Sequence, residues 1–286
     1  VGQSNLALIY ENYSDRATLS GGSWQPGSLR LTNLQTPYIA EKARTTSTDP
    51  AATQFTVDFG QPYIIGGVCF GPSNVRPDAL CRYRMYDSVG LLYDSSIIPF
   101  PGTTVDSASL DWEDNGFWEG VSTEFDDLYK GVYFIDFPTL PVSCERITFE
   151  IFDANNPAGY IEIGRLYCGK VWQPQYNYDY EGHSLDFQDK TDMQESVNGT
   201  RFFNPRPLRR SFSFSFSYLP EADTFRDVYR IATRAGTYRQ VVVVPNPGDV
   251  STFVREAFLG TLGALPSLRR PAFGYAATAF KIEETL

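Results

Sequence analysis

The stretch RRSFSFSFSYL at residues 209–219 limits the possible folds of this chain more than any other feature. Successive side chains of a β-strand point to opposite faces, so the alternation predicts a strand with Phe212, Phe214, Phe216 and Tyr218 on one face and serines on the other. Each ring buries roughly 150–250 Å². At about 25 cal/mol per Å², four rings contribute roughly 15 kcal/mol of gross transfer energy. The aromatic face must therefore lie on a core, and the serine face suits water or a closely approaching neighbour.

The residues that follow predict a helix over 220–236. Pro220 fits the first helical turn and Gly236 fits the residue just beyond the helix end. The predicted apolar stripe consists of Phe225, Val228, Tyr229 and Ala232, and we expect the helix to pack on the phenylalanine row. Further strands are predicted at 238–249, 255–265 and 274–284, so this part of the chain is a small sheet with one helix.

The first half of the chain is typical of a β-sandwich, because short strands alternate with turn residues. The region 88–130 between two of these strands is long and rich in Asp, Gly and Trp, and loops of this length are often functional or lie at interfaces. The predicted strands of this half are 5–10, 53–60, 63–71, 81–87, 131–137, 146–152 and 160–169.

Composition excludes several classes of function. The formal net charge of −10 argues against binding a nucleic-acid backbone, which needs basic patches. No run of 18 apolar residues is present, so we expect no membrane insertion, and the first ten residues lack the basic region of a signal peptide. The four cysteines lie in apolar, strand-like runs, which favours buried free thiols over disulfides or zinc ligands.

Motifs for chemistry are scarce. The single histidine, His183, rules out a multi-histidine metal site, and phosphate-binding loops and nucleophile elbows are missing. Acidic groups at 111–114, 126–127 and 186–192 are expected by chance in so acidic a chain, although a calcium site in 111–127 is an alternative. We therefore predict no catalytic residue, no cofactor and no metal. Trp24, Trp112 and Trp118 either stack on sugars or anchor long loops.

Large side chains with a polar group suit protein interfaces. On this basis the predicted contact surface comprises the long loop and the tyrosines of a linker at 171–182. The interface candidates are Trp112, Phe117, Trp118, Tyr176, Tyr178 and Tyr180.

Two long segments resemble a known family. Residues 29–71, with NLQTP, KARTTS and a strand ending in DFG, and residues 149–174, FEIFDANNPAGYIEIGRLYCGKVWQP, are similar to the galactose-binding-like, discoidin-type jelly roll of bacteriophage tail proteins. The C-terminal part resembles the small β domain of tail-tip and distal-tail proteins. The resemblance implies a mainly β fold, with a jelly-roll sandwich over 1–170, the linker at 171–182 and a small β domain with one helix over 183–286.

The same resemblance implies a function. It suggests a structural protein of a long-tailed phage, located in the virion tail tip and made in the host bacterial cytoplasm. Copies would form a ring that joins the tail tube to hub, fibre or receptor-binding proteins, and no reaction would be catalysed. The alternative is a carbohydrate-binding adhesin that recognises a host surface glycan. A third interpretation is a glycan-cleaving enzyme that relies on carboxylates.

Overall fold

The computed structural model describes residues 5–76, 78–100, 112–113, 132–249 and 252–286. The chain divides into two compact units: Val1–Gln173 with Val244–Phe258, and Pro174–Val243 with Leu259–Leu286. The second unit is thus interrupted in sequence. The sequence predicted two domains, 1–170 and 183–286, joined by a linker at 171–182. That each of these parts folds as an independent domain stays a prediction.

Up to residue 173, the first unit is built from short and medium strands, three 3₁₀ turns (Ser14–Arg16, Gly27–Leu29 and Leu31–Gln35) and a short helix after β3. The elements are β1 (Ala7–Asn12), β2 (Thr18–Ser20), β3 (Ala43–Arg44), α1 (Pro50–Thr53), β4 (Phe55–Ile65), β5 (Gly67–Ser73), β6 (Leu80–Tyr86), β7 (Leu91–Asp94), β8 (Ile98–Pro99), β9 (Val132–Asp136), β10 (Val142–Phe152) and β11 (Glu162–Trp172).

These strands form two antiparallel sheets. In one sheet the order is β1-β11-β5-β9, with β3 beside β11, and in the other it is β2-β4-β10-β6-β7, with β8 beside β6. Aromatic residues of both sheets meet in one core: Phe55 stacks on Phe149 with ring centroids 4.9 Å apart, Phe70 stacks on Phe134 at 4.9 Å, and Phe55 meets Phe70 edge-on. The predicted β-sandwich is therefore confirmed.

Three of the four cysteines, Cys81, Cys144 and Cys168, lie in this core. Cys69, Cys81, Cys144 and Cys168 are all buried and free, as predicted. Burial raises the pKa of Cys144 to about 12. A thiol with so high a pKa carries almost no thiolate at neutral pH, so these residues pack as small hydrophobic groups and are chemically inert.

From residue 183 onward the chain continues as strands with one long helix. The elements are β12 (His183–Gln188), β13 (Asp192–Glu195), β14 (Arg201–Asn204), β15 (Arg209–Pro220), α2 (Glu221–Ala235), β16 (Gln240–Val244), α3 (Phe253–Glu256), β17 (Phe258–Leu262), β18 (Ser267–Ala272) and β19 (Tyr275–Glu284).

The sheet of the second unit has the order β12-β15-β19-β17-β16, with β18 beside β19, and β13 and β14 form a separate hairpin. Helix α2 packs on β15, β18 and β19. The prediction of a mainly β chain, with a jelly-roll-like sandwich followed by a smaller β unit that carries one long helix, is confirmed. The predicted strand at 255–265 is wrong at its start, where α3 lies. Among the described residues, no helix is long and apolar enough to span a membrane.

The buried stripe of α2 differs from the predicted one. Thr224, Val228, Ile231 and Ala235 are buried, whereas Tyr229 is 65% exposed. Both sets of residues fit the helical period, and the difference is a small rotation of the helix about its axis. The prediction was therefore right for Val228 and wrong for Tyr229.

The phenylalanine row is confirmed for three of its four rings. Phe212, Phe214 and Phe216 are buried, and Phe214 stacks on Phe280 of β19 with ring centroids 5.2 Å apart. The prediction was wrong for Tyr218, which is 63% exposed. The reason is a shift of register between β15 and β19, which makes Leu219 the next buried side chain.

Candidate functional site: a tyrosine-lined pocket

A pocket of about 490 Å³ opens on the second unit. This volume lies within the range of about 300–1,000 Å³ that is usual for ligand sites. Phe216 and Leu219, both buried, supply apolar surface, and three tyrosines and several polar side chains complete the walls. The lining residues are Tyr176, Asn177, Asp179, Phe216, Ser217, Tyr218, Leu219 and Tyr275.

A β-bulge directs Tyr218 into this pocket. Phe216 lies opposite Thr278, but Leu219 lies opposite Ala276, so three steps along β15 match two along β19. The extra residue reverses the alternation, and Tyr218 turns away from the core. Bulges commonly re-aim a side chain beside a functional site.

The tyrosine rings form an exposed aromatic corner. The rings of Tyr218 and Tyr275 lie edge to face, with centroids 6.1 Å apart and an interplanar angle of 84°. Tyr176 adds a third ring, and all three are substantially exposed. Among the described residues, no hydrogen bond occupies their three hydroxyl groups. The rings therefore offer apolar faces and free polar groups to a ligand.

Asp179 is held in place by serines of β15. The Ser217 hydroxyl donates to its carboxylate at 2.6 Å, the Ser217 amide donates at 3.2 Å, and the Ser215 hydroxyl donates at 3.2 Å. The Asp179 amide in turn donates to the Ser215 carbonyl at 2.8 Å. These contacts fix the carboxylate at the pocket wall and leave part of its acceptor capacity for a ligand.

The serine face of β15 is what allows this approach. Residues 179–182 form a turn, closed by the Gly182 amide donating to the Asp179 carbonyl at 3.0 Å. A Cβ atom at Gly182 would lie 2.1 Å from the Ser215 hydroxyl oxygen, so only glycine fits there without displacing that group. The expectation that the serine face receives a close neighbour is confirmed at this position.

The predicted interface residues have different surroundings. Tyr176 lines the pocket. Tyr178 is half-buried, with its ring centroid 4.9 Å from that of His183 and 5.8 Å from that of Phe212, whereas Tyr180 is almost fully exposed. Trp112 is also exposed. Two of the six candidates, Phe117 and Trp118, lie outside the described residues, and a role of any of the six in an interface stays a prediction.

Sequence reasoning missed Tyr218, Tyr275 and Asp179 as members of one site. The available signal was the pair Tyr218-Leu219, because two large apolar residues in succession break the strict alternation and indicate a slip of register. No sequence signal joins residues 176–179 to residue 275, since these segments meet only in the folded sheet.

The predicted acidic groups form no metal site in the described part of the chain, where no cluster of three His, Cys, Asp or Glu side chains is placed to hold an ion. Most of the alternative calcium region at 111–127 lies outside the described residues. His183 is exposed on β12, beside Tyr178 and Tyr180. The pocket itself contains one carboxylate, that of Asp179.

No protein-family model and no curated protein matches the sequence. Solved structures similar to the chain include the module CBM32-1 of a family 31 glycoside hydrolase from Clostridium perfringens (9% identity, 56% of this chain and 99% of that one, TM-score 0.36). Another is the lectin domain of lectinolysin complexed with Lewis B antigen (13%, 57% and 98%, 0.37). A third is the family 32 module of C. perfringens NanJ in complex with galactose (13%, 58% and 99%, 0.36). A likeness of this size says nothing about what this chain binds.

Proposed function

We propose that this chain is a non-catalytic carbohydrate-binding protein, and that the tyrosine-lined pocket of the second unit holds the sugar. This corresponds to the alternative interpretation of the sequence, the adhesin. The observation that supports it is the convergence of three exposed tyrosine rings with a fixed carboxylate over the apolar surface of Phe216 and Leu219. A sugar ring has the matching chemistry, because its C–H faces stack on aromatic rings and its hydroxyls donate to carboxylate oxygens.

The chemistry of the pocket disfavours the other ligands that stack on aromatic rings. Single-stranded nucleic acids also stack on tyrosine, but their sites combine the rings with basic side chains that follow the phosphates. The lining of this pocket contains no Lys or Arg, and its charged group, Asp179, repels phosphate. Glycoside hydrolysis usually requires two carboxylates flanking the bond, and one is present. Binding without cleavage is therefore the function that this site supports best.

Calorimetric titration with glycans that bind on an array tests this proposal. Tyr218→Ala and Tyr275→Ala each remove one stacking surface, and we expect each to weaken binding by about tenfold, equivalent to about 1.4 kcal/mol. Tyr229→Ala is the matched control, because Tyr229 is as exposed as Tyr218 but lies on α2 and outside the pocket lining. We expect the affinity of this control to equal that of the unmodified protein.

Two results would overturn the proposal. One is an array on which no glycan is retained. The other is an affinity that stays unchanged in both pocket variants while circular dichroism shows them folded. Incubation with the bound glycan, followed by an assay for new reducing ends, separates binding from cleavage.

The main interpretation of the sequence was a ring of copies at a phage tail tip, in contact with tube, hub and fibre proteins, and it stays a prediction. The location in the virion and a host glycan as the target also stay predictions. It depends on the resemblance of sequence segments alone. Sedimentation of the purified chain at micromolar concentration tests the ring, since a ring subunit assembles with itself and a simple adhesin need not.

A further inference from the structure

The pocket carries one negative charge, that of Asp179, and its lining contains no basic side chain to balance it. Among the described residues, no ion pair uses Asp179, whose partners are the neutral donors of Ser215 and Ser217. The second unit as a whole carries nearly equal numbers of acidic and basic side chains. The electrostatic preference of the pocket is therefore set by this carboxylate in its lining.

The tyrosine rings of the aromatic corner also favour a positively charged ligand. The faces of tyrosine rings carry negative potential, so a cation placed over them is attracted, by about 0.5–1 kcal/mol at exposed sites and more when water is excluded. Tyr218 and Tyr275 stand nearly perpendicular, at 84°, so that one ring presents its edge to the other, and both residues are substantially exposed. A carboxylate and aromatic faces together form a site for a positively charged group attached to an otherwise apolar surface.

We infer that the sugar bound here carries a protonated amino group, as in an oligomer of unsubstituted glucosamine, and that acidic sugars are excluded. This inference rests on the proposed function and adds a ligand class to it. An ammonium group combines a favourable interaction with Asp179 and one with the tyrosine faces. An N-acetylated sugar keeps the ring stacking and loses the charge, and a uronic acid adds repulsion.

Three matched probes test the charge preference by calorimetry at pH 5.5: β-1,4-linked glucosamine oligomers, N-acetylglucosamine oligomers of equal length, and oligogalacturonate. We expect the glucosamine oligomer to bind at least tenfold more tightly than its acetylated counterpart, and oligogalacturonate not to bind. Raising NaCl from 50 to 500 mM weakens the first interaction and leaves the second nearly unchanged, because salt screens charge–charge attraction.

Asp179→Asn is the decisive variant. The amide keeps an oxygen that accepts a hydrogen bond from Ser217 but removes the charge, so we expect the preference for glucosamine over N-acetylglucosamine to fall to within about twofold. Asp186→Asn is the control, since Asp186 lies on β12, outside the pocket lining, and the net charge of the protein changes equally. We expect this control to keep the full preference. If Asp179→Asn fails to fold, the salt dependence of the unmodified protein decides: an affinity for the glucosamine oligomer that is unchanged between 50 and 500 mM NaCl overturns the inference.

The outcomes separate this inference from the proposed function. If none of the probes binds and no glycan is retained on the array, the proposed function and the inference both fail. If sugars bind but the acetylated or acidic oligomers bind as tightly as glucosamine, or if Asp179→Asn keeps the preference, the inference is overturned and carbohydrate binding stands.

Discussion

Replacing Glu284 by glutamine isolates the contribution of one buried charge to the second unit. Glu284 on β19 and Arg210 on β15 are 5% and 4% exposed. Its carboxylate accepts hydrogen bonds from the Arg210 amide at 2.9 Å, from Nε at 3.0 Å and from the terminal guanidinium nitrogen. Glutamine has nearly the same size and keeps one acceptor oxygen, so Glu284→Gln removes charge while it changes the packing little.

The expected loss of stability is large, because the guanidinium of Arg210 cannot lose its proton and remains charged in the interior. Breaking a buried pair by removing one partner costs about 3–5 kcal/mol. Since the amide still accepts one hydrogen bond, we expect a value near the lower end, about 3 kcal/mol. Arg210→Met in the Glu284→Gln background removes the buried positive charge that has lost this carboxylate and should recover part of the loss.

Glu283→Gln is the control, since it is the same substitution at the next residue. The Glu283 carboxylate pairs with Lys281 at 3.1 Å, but these side chains are 38% and 47% exposed. Exposed pairs contribute about 0–1 kcal/mol, so this variant should unfold at nearly the same urea concentration as the unmodified protein.

Urea unfolding measures the difference as the shift of the transition midpoint multiplied by the slope m. Tryptophan fluorescence reports on the first unit, because all four tryptophans fall within its sequence range, so a transition in circular dichroism that tryptophan fluorescence does not share belongs to the second unit. If Glu284→Gln unfolds at the same urea concentration as Glu283→Gln, the reasoning that the loss of the buried carboxylate–guanidinium pair dominates is refuted.

Two further predictions concern the cores. Phe214→Ala deletes a fully buried ring that stacks on Phe280, and we expect it to lower the free energy of unfolding in urea by about 3–5 kcal/mol. Tyr218→Ala, on the exposed side of the same strand, should lower it by less than about 1 kcal/mol. Equal losses would contradict the burial assignment. Burial raises the pKa of Asp136, although the Tyr83 hydroxyl, which donates to it at 2.6 Å, opposes the shift. The folded state therefore holds this proton more tightly than the unfolded state, so stability is greatest below the unfolded pKa and falls as pH rises through the raised pKa. Asp136→Asn should flatten this fall in urea midpoints measured from pH 3.5 to 7, and an unchanged slope would contradict the assignment.

The parts of the fold that were predictable are those where burial acts on one face of a segment. The alternation of Phe212, Phe214 and Phe216 predicted their burial, because a strand on a core must be apolar at every second residue. The hairpin of β13 and β14 was not predicted for the converse reason. All of its residues are exposed, so no face imposes a pattern on its sequence.

The candidate site escaped prediction because its parts are distant in sequence and because one inserted residue changes which face a side chain occupies. A strict period of two places Tyr218 in the core, and the bulge places it in solvent. Tyr176 was singled out for its residue type, which suits recognition of any partner. The carboxylate of Asp179, the feature that distinguishes one ligand class from another, became meaningful only through its contacts with Ser215 and Ser217.

Strand β15 joins stability and recognition through its two faces. Its phenylalanines are buried in the core, and its serines are small enough for the turn that carries Asp179 to approach. A bulkier residue at Ser215 would keep the core intact and push that turn away. Burial of the opposite face does not explain why these residues are serines. Their small size leaves room for the carboxylate of Asp179 beside the bulge that exposes Tyr218. Core packing and ligand recognition meet on this strand at Phe216 and Leu219, which are buried and also line the pocket, whereas the serines and Tyr218 contribute to the site alone.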